Sequence, residues 1–98
     1  KTVFFSYVSF QAVHIPLQAP EEFTEKYIGS YREGWHALRK NRQNAVKDLG
    51  LIPASVPMKR MATTDDWDNL SEEKKRYNDK RMAVYAGMVD AMDYHIGA

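Results

Sequence analysis

The most apolar run of the chain is its first. Residues 2–10, Thr-Val-Phe-Phe-Ser-Tyr-Val-Ser-Phe, are dominated by β-branched and aromatic types, which suit a pleated backbone. Alternation sets Val3, Phe5 and Tyr7 on one face and Phe4, Val8 and Phe10 on the other. A strand apolar on both faces belongs inside a sheet covered on both sides, as in α/β proteins. The pattern therefore predicts one strand over 2–10. No second stretch of comparable quality follows, and a lone strand leaves its backbone donors and acceptors without a ladder. The expectation is that its partners come from outside these residues and that the chain is cut from something longer.

After a proline-punctuated loop over 11–20, the apolar period lengthens to that of helices. Pro20-Glu21-Glu22 suits a first turn, because proline needs no amide partner there and the acidic pair complements the helix dipole. Phe23, Tyr27 and Ile28 share one side of a short helix expected over 20–28, which stops at Gly29. A second helix is expected over 34–49. Trp35, Leu38, Ala45, Val46 and Leu49 lie on one flank, Arg39, Lys40, Arg42, Gln43 and Lys47 on the other, and Gly50 follows as the stop. Residues 51–70 hold Pro53, Pro57 and the polar stretch Thr63-Thr64-Asp65-Asp66, and apart from Trp67 read as an extended surface connector. Ser71 caps a third helix over 71–97, with Glu72 and Glu73 in its first turn. Met82, Tyr85, Met88, Val89, Met92 and Ile96 recur every three or four residues as its apolar stripe.

Composition narrows the function classes. Ninety-eight residues make one domain at most, toward the small end of what folds unaided. Fourteen Lys and Arg against thirteen Asp and Glu leave a net charge of +1. That lacks the basic excess on which nucleic-acid and anionic-membrane binding depend, so neither is expected as a partner. No run reaches the ~18–20 apolar residues of a bilayer-spanning helix. The absence of cysteine removes disulfides, thiolate metal sites and cysteine nucleophiles from these residues.

Chemistry concentrates at one position. His14 sits where the expected strand gives way to the loop, a place from which a scaffold can present a side chain to a ligand. Val13 before it and Ile15-Pro16-Leu17 after it form a mostly apolar surround, which would sharpen any hydrogen bond the imidazole makes. The plainer reading is a structural histidine that pins the loop to backbone. His36 and His95 have no second histidine at metal-ligand spacing and read as surface or rim residues. Asp65, Asp66 and Asp68 resemble part of a calcium loop but lack its glycine and closing glutamate, so a solvated loop is the better account. Asp90 and Asp93 read as solvent-side charges of the third helix, and its methionines as core filler. One histidine without nucleophile, metal site or general base is no catalytic constellation by itself.

Over nearly all 98 residues, however, the chain resembles an internal segment of a type I sulfatase, the arylsulfatase group of the alkaline-phosphatase superfamily. Phe4 to Phe10 leading into Gln11 to Pro20 is similar to that family's strand followed by Ala-Pro-His-x-Pro-Leu-Gln-Ala-Pro. The likeness continues through Glu25 to Tyr31, Gly34-Trp35, Leu49 to Pro53 and Met82 to Asp93, in the same order and spacing. Two departures stand out. Val13 replaces the proline before the histidine, and the Cys/Ser-x-Pro-x-Arg segment that bears formylglycine is absent.

The resemblance implies a small-molecule sulfate ester as substrate, with calcium and formylglycine as cofactors of the parent enzyme and no ligand for either in this segment. It assigns His14 the catalytic and substrate-binding role in the sulfate pocket, as a hydrogen-bond partner of the sulfate or leaving oxygen and a candidate proton donor. The implied architecture is α/β: one apolar strand and about three helices, a piece of an alkaline-phosphatase-like mixed-sheet sandwich, inactive alone. Two alternatives stay open: a phosphonate or phosphodiester hydrolase on the same scaffold, and a non-catalytic interaction module that dimerises through residues 3–10.

Overall fold

The structure, a computed structural model, describes residues 1–59, 61 and 66–97. It contains three α-helices: α1, Glu21–Thr24; α2, Gly34–Asp48; and α3, Glu72–Gly97. Two short 3-10 turns, Glu25–Tyr27 and Trp67–Asn69, extend α1 and precede α3. The expected residues Thr63, Thr64 and Asp65 of the connector lie outside the described residues.

Each helix is closed by local chemistry. Pro20 precedes α1 and its carbonyl accepts the Phe23 and Thr24 amides at 3.1 and 3.2 Å. At the end of α2, Gly50 takes φ 70° while the Gly50 amide bonds Lys47 O at 2.8 Å and the Leu51 amide bonds Val46 O at 3.0 Å. Paired bonds of that pattern, with a left-handed glycine between them, satisfy carbonyls that the last helical turn leaves open. Ser71 Oγ accepts the Lys74 amide at 3.3 Å and so caps α3. The connector after α2 doubles back along it: Gln43 Nε2 donates to Val56 O at 3.1 Å and Lys47 Nζ to Ala54 O at 2.8 Å.

The core lies where α1 meets α3. Phe23, Ala83 and Met88 are buried there, with Phe23 and Tyr94 rings 5.6 Å apart. Burying a side chain such as Phe23 is worth about 1.5–3 kcal/mol. On α3 the buried positions are Asp79, Ala83 and Gly87, a four-residue step beside the expected methionine stripe, and Met88, which belongs to that stripe. Of that stripe, Tyr85, Val89 and Ile96 are exposed. The seam is made of small residues because α1 approaches closely: a Cβ on Gly87 would stand 2.8 Å from Thr24 Oγ1 and 3.0 Å from its Cα. A salt bridge from Lys26 Nζ to Asp90 Oδ2 at 2.8 Å ties the far end of the same contact. Asp90 is therefore a paired residue and not the plain solvent-side charge expected of it.

The expected strand over 2–10 is corrected by the structure: among the described residues no strand forms. Residues 1–10 are exposed throughout, with Val3, Phe4 and Phe5 at 95, 86 and 91%. High β propensity cannot fix a strand without a neighbour to complete its hydrogen bonds, and these residues offer none. Within this chain the α/β expectation thus reduces to helices, with an extended apolar arm leading to the loop that bears His14.

Candidate functional site

The loop over 11–20 crosses between the exposed arm and α1. Its peptide bonds Ala12–Val13 and Ile15–Pro16 are cis. Val13 and Leu17 are half-buried, whereas His14 and Ile15 are exposed, so the apolar neighbours of His14 do not enclose it here. Its Nδ1 lies 2.9 Å from Ile15 O. A carbonyl oxygen can only accept, so Nδ1 carries the proton in that bond and Nε2 is left as the outward nitrogen. Neutral, Nε2 accepts a hydrogen bond; protonated, it donates one.

Behind the loop is an apolar cavity of about 340 Å³. Ile15 and Leu17 line one side, and Gly34, Trp35, Trp67 and Tyr85 are among the residues that line the rest. Trp67 is 6% exposed and meets Trp35 edge-on with ring centroids 4.9 Å apart. Gly34, at φ 83°, lies against the same indole, and a Cβ built on it would clash with the Trp67 ring. A left-handed φ and the absence of a side chain are both required at this position, which only glycine meets without strain.

Several other titratable residues have structural partners. Asp79, buried on α3, accepts the Tyr31 amide on Oδ1 at 3.1 Å and faces Arg32 Nε at 3.9 Å. It thereby fixes the turn between α1 and α2 beside the cavity. His36 Nε2 stands 3.5 Å from Asp66 Oδ1, and Asp66 also accepts the Asp68 amide at 3.4 Å. Of the acidic group once compared with a calcium loop, Asp66 and Asp68 are thus engaged in a local turn, and Asp65 lies outside the described residues. His95 is exposed, its ring 6.4 Å from that of Phe23. The Lys26 ammonium is held above its usual pKa of 10.5, first by its hydrogen bond to Asp90 and then by the charge of that carboxylate.

No group of three His, Asp or Glu among the described residues could hold a metal ion. These carboxylates are already paired or solvated, so they do not fit a calcium site. Nor is any described helix long and apolar enough to cross a membrane. The loop can instead present one imidazole nitrogen from an apolar footing. Sequence reasoning singles out His14 as a candidate but misses the apolar space behind it. Trp67 shows only as an aromatic stranded in a polar connector, and Asp79 shows nothing, since a carboxylate on a charged helix face reads as solvated.

Comparison with known proteins adds a lineage to this geometry. The family profile described as Sulfatase matches residues 1–98. An uncharacterized sulfatase of Schizosaccharomyces pombe is 50% identical over 97 residues, which cover 96% of this chain and 17% of that protein. An arylsulfatase of Klebsiella aerogenes is 36% identical over 93 residues, covering 95% of this chain and 20% of that protein. The chain therefore spans about a fifth or less of the length of these relatives.

Proposed function

Since the chain belongs to the sulfatase family, we propose that it supplies His14 to the sulfate-ester pocket of a sulfuric ester hydrolase with an alkaline-phosphatase-like mixed-sheet fold. The observation that supports the role is the Nδ1 contact with Ile15 O, which leaves Nε2 outward and available. With Nε2 protonated, the imidazolium donates a hydrogen bond to the bridging oxygen between sulfur and the organic group. As the sulfuryl group passes to a nucleophile supplied from outside these residues and the sulfur–oxygen bond to the organic group breaks, the proton passes to the departing alkoxide or phenoxide, and His14 ends as neutral imidazole. Charge that develops on the leaving oxygen is met where it appears, the condition for a hydrogen bond to lower the barrier.

Calcium and formylglycine, typical of this family, would supply the electrophilic and nucleophilic chemistry from residues outside this segment, since the described residues fit neither. The substrate class is small-molecule sulfate esters, with the arylsulfatase relative as support for aryl esters.

The test is His14→Ala in the full-length protein, assayed on aryl sulfates graded by the acidity of the phenol released. Loss of a general acid costs about 10²–10⁴ in rate. The expected loss is of that order on the least acidic phenol and much smaller on the most acidic one. An unchanged rate across the series would refute the assignment.

A further inference from the structure

The cationic flank of α2 forms one wall of a groove. Past α2 the connector turns back along the helix, tied to it by Gln43 Nε2 on Val56 O at 3.1 Å and Lys47 Nζ on Ala54 O at 2.8 Å. The space between them measures about 450 Å³. Arg39 and Arg42 border it from the helix and Lys59 from the connector. Val46, Pro57 and Met58 supply apolar surface between the charges. Positions three apart on a helix are neighbours on its surface, so the two arginines share one wall.

Among the described residues no carboxylate lines this groove, and none of its three cations is held in a salt bridge. Arg42 also borders the space beside Asp90 and Asp93, but Asp90 is bound to Lys26 and neither carboxylate reaches salt-bridge distance of the guanidinium. The net charge of +1 therefore conceals a local excess of positive charge. Like charges set side by side repel, and an anion between them relieves that repulsion and adds attraction of its own. Guanidinium forks match the oxygens of a sulfate or phosphate group with paired hydrogen bonds. The groove also adjoins the candidate site along α2. Leu38 borders the apolar space at the His14 loop, and Arg39, the following residue, borders the groove.

We propose that this groove is a second anion site, which binds a sulfate group of the substrate other than the one hydrolysed. The substrate class it implies is an ester that carries several sulfates. Taking the anion as sulfate rests on the reading of the chain as part of a sulfuric ester hydrolase; the positive character of the groove does not. Nucleic acid is the less favoured polyanion. The chain carries no overall basic excess, and among the described residues no aromatic lines the groove to stack a base.

The experiment measures binding to the full-length protein by calorimetry at low and at physiological salt. The main probe is an oligosaccharide bearing several sulfonate groups, which imitate sulfate and resist hydrolysis. Beside it stand the same oligosaccharide without sulfonates, inorganic sulfate and a short DNA duplex. The variants are the triple R39Q/R42Q/K59Q and, as control, K40Q, whose exposed lysine lies on α2 outside the groove. An exposed charge pair is worth up to about fivefold in affinity, so the triple variant should bind the sulfonated probe about 10- to 100-fold more weakly. K40Q should stay within about twofold of the wild type. Wild-type affinity should fall more steeply with salt than that of the triple variant, because screening acts on the charges removed. On an aryl monosulfate, which has no second sulfate, kcat and KM of the triple variant should change less than about twofold, which also reports an intact fold. Equal binding of the sulfonated probe by wild type and triple variant overturns the proposal. So does an equal loss in K40Q, tighter binding of the DNA duplex, or binding of inorganic sulfate that matches the sulfonated probe. In an H14A background the triple change should cost the same factor. A flat phenol series for H14A, with that factor kept, overturns the reading of His14 and leaves the groove standing.

Discussion

Asp79 shows how one side chain can hold a turn that its sequence neighbourhood does not advertise. The residue is 8% exposed, and its carboxylate accepts an amide 48 residues upstream, on Tyr31. Leaving that amide without a partner costs about 1–3 kcal/mol. Asp79→Ala should therefore speed hydrogen exchange of the Tyr31 amide roughly tenfold or more in the full-length protein, while Asp79→Asn, which keeps an acceptor oxygen, should lose less. Equal protection in all three forms would mean the bond holds nothing. Lys26 gives a pH-dependent case. Its raised pKa means that the tie to Asp90 stabilises the fold fully below about pH 10.5 and is lost as pH climbs through the raised value. The thermal midpoints of the wild type and Lys26→Met should then differ at neutral pH and converge in alkali. A gap that persists well above that range would assign the effect to packing of the lysine stem over Phe23, whose ring centroid lies 5.2 Å from Nζ. At this scale His14 stands out as a candidate because a histidine between an apolar run and a proline loop has few neighbours to explain it. Asp79 and Lys26 are not, because their partners are fixed only by a helix crossing that no local pattern encodes.

At the scale of elements, helix existence is legible and helix contact is not. The capping serine before α3 and the glycine after α2 mark boundaries by chemistry local to a few residues. The face that α3 buries is another matter. Periodicity selects large apolar side chains, yet α1 comes close over Gly87, which is small enough to permit it. Gly87→Ala tests which effect dominates. Alanine would gain up to about 1 kcal/mol in helix propensity, whereas pressing a Cβ against the Thr24 backbone costs about 1–3 kcal/mol. The net expectation is a loss of about 1 kcal/mol, read as a lower thermal midpoint. A rise would show that α1 yields without cost.

The whole molecule is drawn out. Its radius of gyration is 17.0 Å with extents of 57 × 37 × 23 Å, against about 13 Å for a compact chain of this length. The exposed arm accounts for much of this, and it is also where sequence reasoning overreaches. Residues 2–10 have every local property of a central strand except a neighbour, and pairing is a property of two segments at once. The missing partner can be anticipated from the both-faced apolar pattern, but a strand cannot be built from it.

The ties that hold α1 and the following turn run to residues far downstream: Lys26 reaches Asp90 across 64 positions and Tyr31 reaches Asp79 across 48. A ribosome delivers these ends in order. From the moment α1 emerges, the tie at Tyr31 must wait for Asp79 to be added and the tie at Lys26 for Asp90. Contacts of such separation must wait for a long loop to close. The interval is set by elongation, not by the helices' own speed, and during it α1 stands without the helix face it packs against.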